Sequence, residues 1–203
     1  MFKAPIRILI VAALCVAALI GLVVREGVAR DSGQEIVLAM APIDPRSLLS
    51  GHYVIVSLQE ILPPGAPCPW LTQDDSGVWI HTGRPNNWIA FSPNGDRHSV
   101  TGSAKTRAEA MQSGAIVARG EAFCAVPPES NDPSQMRVTI FTQLGVDRFH
   151  INQAEAERIE HLLRDQSPED EARVFAIVSI GADGRARLKG VRVDGERLML
   201  DWF

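Results

Sequence analysis

The sequence predicts an α+β protein: an N-terminal transmembrane helix followed by a mainly antiparallel β domain, a sheet or partly open barrel, with one main helix near residues 152–165. Three observations carry this. Residues 8–24 form an uninterrupted apolar run. Beyond it, short Val-, Ile-, Phe- and Trp-rich stretches alternate with Asn-Gly and Asp-Gly turn signals. A single later segment carries apolar residues at helical spacing: Ala156, Ile159 and Leu163, widened by Leu162.

The apolar run comes first. Seventeen residues at a rise of ~1.5 Å cover about 25 Å, the short limit for a bilayer core, and residues 2–5 with Arg25 extend the span by snorkelling. Lys3 and Arg7 precede the run, so the positive-inside rule keeps the N-terminus cytoplasmic and the domain outside. A cleaved signal peptide competes with this reading. The segment Val24-Arg25-Glu26-Gly27-Val28-Ala29-Arg30 lacks an A-x-A site, and the run exceeds an ordinary signal core. A buried helix of a soluble protein passes the same hydropathy test. The division expected is a membrane anchor over 1–26, a polar linker over 27–34 and an extracytoplasmic β-rich domain over 35–203.

Strands are expected at 35–41, 52–62, 77–82, 88–91 and 98–102, with Pro63-Pro64-Gly65 stopping the second. A short helix is expected within 103–114, where Ala104, Ala108, Ala110 and Met111 favour it. Long strands follow at 115–125 and 135–144, then a short extended piece at 148–151. Asn152 and Glu155 make a capping-box-like start to the main helix, which ends before Pro168. Two hairpins close the chain, turning at Ala182-Asp183-Gly184 and Asp194-Gly195.

The 203 residues suffice for one domain with a sizeable core. Of 20 basic and 24 acidic residues, Lys3, Arg7, Arg25, Arg30 and Glu26 lie in the first thirty, so the remainder holds 16 and 23, a balance of -7. Such a domain has no overall electrostatic footprint for nucleic acid, nor for anionic lipid headgroups. Cys15 lies in the apolar run, leaving Cys68 and Cys124 in the exported part. An even pair in an oxidising compartment suggests a disulfide; two separately buried thiols are the alternative.

The most distinctive stretch is Asp44-Pro45-Arg46-Ser47-Leu48-Leu49-Ser50-Gly51-His52-Tyr53-Val54-Ile55-Val56-Ser57-Leu58. It resembles the GDYXXLXY family, whose name spells its signature. The resemblance extends to Phe149-His150-Ile151-Asn152 and to Asp183-Gly184-Arg185-Ala186-Arg187-Leu188. Gly51 and Tyr53 fit the signature; His52 stands for its Asp, Val56 for its Leu and Leu58 for its final Tyr. A role that needed the Asp as an anion is therefore missing here at neutral pH. The resemblance implies a membrane-anchored protein of uncharacterised biochemistry in a Gram-negative periplasm. It also implies a gene beside one for a multi-pass membrane protein, and so an accessory subunit. Read from the residues alone, the motif is structural: Asp44 caps a short turn, Arg46 pairs with a carboxylate, Gly51 allows a tight strand entry and Tyr53 brings an apolar body with a polar tip. A ligand or partner contact by Asp44, Arg46, Gly51, His52 and Tyr53 is the other reading.

Catalytic signals are weak. Met40-Ala41-Pro42 ahead of Gly51-His52-Tyr53 is similar to the signature of type I signal peptidases, but Ala39 stands where the nucleophilic serine belongs. Ser103 and Lys105 are two residues apart, not one helical face apart. His52, His81, His98, His150 and His161 show no zinc spacing. No phosphate loop, dinucleotide fingerprint or haem motif occurs. No cofactor, metal or catalytic residue is therefore expected. The leading expectation is an accessory or binding domain on the periplasmic side of the inner membrane, working with an integral membrane partner. The alternative is a cell-envelope enzyme with a site near Arg46, His52 and Tyr53.

Overall fold

The structure, a computed structural model, describes residues 3–41, 53–70, 72–73, 79–80, 87–125, 137–146, 148–150, 153–165 and 172–200. Helix α1 spans Lys3–Asp31. Its stretch Ile8–Asp31 is apolar and long enough to cross a membrane, and none of its apolar window is buried inside the protein. Within this chain it is therefore not a core helix, and its length and composition suit a membrane span.

The helix continues through residues 27–31, which the sequence suggested were linker. Gly27 is its one weak position there, costing about 1 kcal/mol relative to Ala. Contacts with the sheet described below outweigh that cost. The backbone N–H and hydroxyl of Ser32 both donate to the Val28 carbonyl, at 2.9 and 2.7 Å, and end the helix. Only Ser32 and Gly33 then separate it from strand β1, Gln34–Ala39.

Strands β2 (Tyr53–Ile55), β3 (Leu58–Ile61), β4 (Thr72–Gln73), β5 (Trp79–Ile80), β6 (Trp88–Asn94) and β7 (Arg97–Ala104) follow. Helix α2 is only Arg107–Ala110, held by a Thr106/Glu109 capping box. It falls within the 103–114 stretch where a short helix is expected, and it begins only after Ser103 and Ala104, which pair with Ile89 and Trp88 in the β6–β7 hairpin. Then come β8 (Ile116–Arg119), β9 (Glu121–Ala125), β10 (Thr139–Gln143), β11 (Arg148–His150), helix α3 (Gln153–Asp165), β12 (Val174–Ile180), β13 (Ala186–Val193) and β14 (Glu196–Met199).

Every described strand pairing is antiparallel. The main sheet has the order β1-β12-β13-β14; two three-stranded sheets are β3-β10-β9 and β7-β6-β8; two pairs are β11-β2 and β4-β5. No closed barrel forms among the described residues. The sequence stretches 52–62 and 115–125, each expected as one strand, are both divided because the chain changes sheets. The second break falls at Gly120, where a Cβ would lie against the Gln143 carbonyl, so only glycine lets β8 pass into β9.

β12 is buried at all seven positions, six of them apolar and the other Ser179, so it is covered on both faces. Ile36, Val174, Ala176, Val178, Val191 and Ile159 join one core with Phe91, Val138 and Ile140. α3 lays Ala156, Ile159 and Leu163 on this core and packs on β2 and β12. Cys68 and Cys124 are bonded, with Cα atoms 6.3 Å apart and a separation of 56 positions in sequence. A loop of that length is worth about 4 kcal/mol in the chain-entropy description. The bridge fastens the loop after β3 to β9.

Side chains close the open sheet edges. The Val37 backbone N–H of β1 donates to Nδ1 of His98 on β7, at 3.2 Å. The Val100 N–H of β7 donates to Oε2 of Glu60 on β3, at 2.8 Å. Both bonds satisfy edge donors that would otherwise be left without strand partners. His98 must be neutral at Nδ1 to accept. Burial holds its pKa below the ordinary 6.5, with Glu35 opposing. The unfolded chain therefore binds this proton more readily than the folded one. The stabilisation is complete above about pH 6.5 and is lost as pH falls through the lower folded value. We expect the melting temperature to fall between about pH 7.5 and 5.5, and the fall to be shallower in a His98→Gln variant. Parallel pH profiles for the two proteins would contradict this role.

Candidate functional site

The junction of α1 with the main sheet is where the described residues concentrate ionic contacts. The β12–β13 turn closes through Gly184 N–H to Gly181 O (2.8 Å) and Gly181 N–H to Arg185 O (3.0 Å). Arg187 follows at the start of β13, its side chain only 10% exposed. Its guanidinium reaches back to α1, where Nε and Nη2 both contact the Glu26 carboxylate. Its Nη1 lies 3.5 Å from Asp183 Oδ1. Asp183 is in turn fixed by the Arg185 backbone N–H, at 3.0 Å. That bond first, and the Arg187 guanidinium second, hold the Asp183 carboxyl below the usual carboxylate range. One largely covered cation thus joins two half-exposed carboxylates from the helix and the turn.

Two further contacts hold the same junction. One helical turn past Glu26, Arg30 Nη1 donates to the Leu200 carbonyl at 3.0 Å. Glu35, at the start of β1, takes Lys189 at 3.3 Å and Arg197 at 2.6 Å. The helix is therefore tied to β13 and to the residue after β14, while two residues of connection join it to β1.

The turn is also fastened to the β7-β6-β8 sheet. Gly184 has φ +78°, and a Cβ there would lie 2.5 Å from Trp88 Cζ3. Only glycine both adopts the turn and admits the indole. Arg119 donates to the Asp183 carbonyl (2.9 Å) and Arg107 to the Ala182 carbonyl (3.1 Å). Their guanidinium carbons stand 5.2 and 5.8 Å from the Trp88 ring centroid, within cation–π range. At the other end of the sheets, Arg192 lies over Phe175 and pairs with Asp96 at 3.0 Å.

Asp44, Arg46, Gly51 and His52 lie outside the described residues. Tyr53 opens β2, opposite His150 of β11, and its side chain also lies outside them. Ser103 and Lys105 do not form a pair: Lys105 is exposed, and the Ser103 hydroxyl is buried without a hydrogen-bond partner. No group of three metal-ligating side chains occurs among the described residues. The sequence reading missed the junction itself. Its signals were present: Glu26 is the one acid in the first thirty residues, and the Gly184-Arg185-Ala186-Arg187 turn matched the family pattern.

These features define a β-rich domain mounted on a single apolar helix through an arginine clamp. The chain belongs to the GDYXXLXY family, whose model matches residues 15–191. That range begins inside α1 and reaches into β13, so it takes in Glu26, Trp88, Asp183 and Arg187. No curated protein and no solved structure matches the chain significantly.

Replacing Arg187 by Gln removes the shared cation, while the two carboxylates can rehydrate. The cost to domain stability is expected to be about 1 kcal/mol, but the end of α1 should loosen. Trypsin should then cleave after Arg25 or Arg30 in detergent-solubilised protein several-fold faster than in wild type, with the sheet peptides unaffected. Equal cleavage rates would show that the clamp does not hold the helix.

Proposed function

We propose that this chain is a membrane-tethered accessory domain that works with an integral membrane partner from the periplasmic side of the inner membrane. In this reading residues 1–26 are the anchor, with the N-terminus cytoplasmic, and residues 35–203 form the working domain. Lys3 and Arg7 ahead of the apolar run support that orientation.

The observation that carries the proposal is the mount. A domain that captures diffusing ligands gains reach from a flexible tether. Here the connection is two residues, and Arg187 grips the helix on one side while Arg30 grips the sheet on the other. A fixed height and orientation above the bilayer suit a partner fixed in the same bilayer. The family motif is the first candidate for the contact, with Asp44, Arg46, Gly51, His52 and Tyr53 as its residues. Tyr53 leads into β2, beneath α3 and beside β11.

The test is affinity capture of tagged full-length protein from membranes in mild detergent, read by mass spectrometry, beside an Arg46→Ala/Tyr53→Ala variant. A multi-pass membrane protein should be enriched with wild type and lost with the variant. Capture of no membrane protein, from folded protein in the membrane fraction, would overturn the accessory role and direct effort to substrate screens on the domain.

A further inference from the structure

The position of the clamp along α1 fixes which part of the domain meets the bilayer. The apolar run ends at Val24, and Glu26 lies two residues on, roughly 3 Å further along the axis. The headgroup layer is about 5–8 Å deep. The β12–β13 turn, held to Glu26 by Arg187, is therefore at headgroup depth when α1 spans. The run covers about 25 Å against a hydrocarbon core of about 30 Å, a mismatch that draws the turn closer still.

The residues at that depth are unlike the domain as a whole. Lys105, Arg107, Arg119 and Arg185 are all exposed there, Arg107 and Arg119 being fixed to the turn through the Ala182 and Asp183 carbonyls. Arg25 lies beside them on α1, while the nearby carboxylates are already engaged: Glu26 and Asp183 by Arg187, and Glu109 by the α2 capping box. Trp88, half-buried between two guanidinium groups, supplies an amphipathic ring of the kind that settles at membrane interfaces. Met111, four residues beyond Arg107, is 58% exposed and adds an apolar tip. At the opposite end Asp96, Asp194 and Glu196 are each ion-paired with an arginine.

We infer that this rim, built from Lys105, Arg107, Arg119, Arg185, Trp88 and Met111, docks on the anionic phosphate headgroups of the leaflet facing the domain. The net charge of -7 beyond residue 30 argued against such contact, but net charge averages over both ends of the domain. Local charge decides it, because screening confines the attraction to about 8–10 Å. The rim thus adds a second, electrostatic attachment to the helix, and it pins the domain against rotation about the α1 axis.

The inference rests on α1 spanning the membrane, as in the proposed function, and on nothing about the partner. The test is hydrogen–deuterium exchange of the full chain in nanodiscs of phosphatidylcholine alone or with about one-third phosphatidylglycerol. In the anionic discs, peptides covering 104–120 and 181–188 should exchange at least about fivefold more slowly, and the turns at 94–97 and 193–196 should not change. The protection should vanish in an Arg107→Gln/Arg119→Gln/Arg185→Gln variant and weaken in Arg185→Gln alone, whose side chain is 71% exposed and can be replaced without disturbing the fold. Identical exchange in the two discs overturns the docking, as does protection at the far turns. If inorganic phosphate in the neutral discs reproduces the protection, the rim is a small-anion site and the bilayer assignment fails. A chain that does not enter discs at all overturns the anchor and the inference together, whereas loss of the captured partner leaves this result untouched.

Discussion

The guanidinium of Arg187 is the constraint on which the arrangement of helix and domain depends. A cation with only 10% of its side chain exposed requires counter-charges, and those available come from two separate elements. Glu26 belongs to α1 and Asp183 to the β12–β13 turn. Neutralising Arg187 therefore sets the helix against the sheet and closes the turn in one geometry. Arginine suits the position, because its planar fork offers Nε and Nη2 to one carboxylate while Nη1 addresses the other. The connection also explains why α1 runs on through Gly27 to Asp31 rather than giving way to a tether.

From that junction the order spreads through the β12–β13 turn. Gly184 admits Trp88, and Arg107 and Arg119 close over the indole while donating to the turn carbonyls. The three-stranded β7-β6-β8 sheet is thereby fixed to the main sheet at the end next to α1, and Arg192 with Asp96 fixes it at the other. Between these ends, His98 and Glu60 satisfy the open edges of β1 and β7. A set of small sheets becomes one body through side chains at their margins, not through one continuous hydrogen-bond ladder.

Much of this fold was legible in the sequence where the signal is local. The apolar run, the Asp-Gly hairpins and the Ala156/Ile159/Leu163 stripe each need only near neighbours to be read. The breaks near Val56 and at Gly120 were not legible, since both stretches keep good strand composition and divide only because the chain moves between sheets. The linker was misread for a similar reason: residues 27–31 have no strong helical signal of their own and are helical because distant Arg187 and Leu200 hold them. The clamp joins residues more than 150 positions apart, which no spacing rule reaches. The family motif shows the reverse case: it was conspicuous in sequence, yet four of its five singled-out residues lie outside the described structure.

Cys15 offers a direct way to measure the rigid coupling of α1 to the sheet. Cys15 is exposed on α1, and the other two cysteines are bonded to each other. A nitroxide there, paired with a second on Met111→Cys at the exposed end of α2, reports the helix–domain distance by pulsed electron paramagnetic resonance in nanodiscs. A rigid junction gives one narrow distance distribution that broadens when Arg187 is replaced by Gln. A broad distribution in the otherwise unaltered protein, of the width given by a flexible tether, would contradict it.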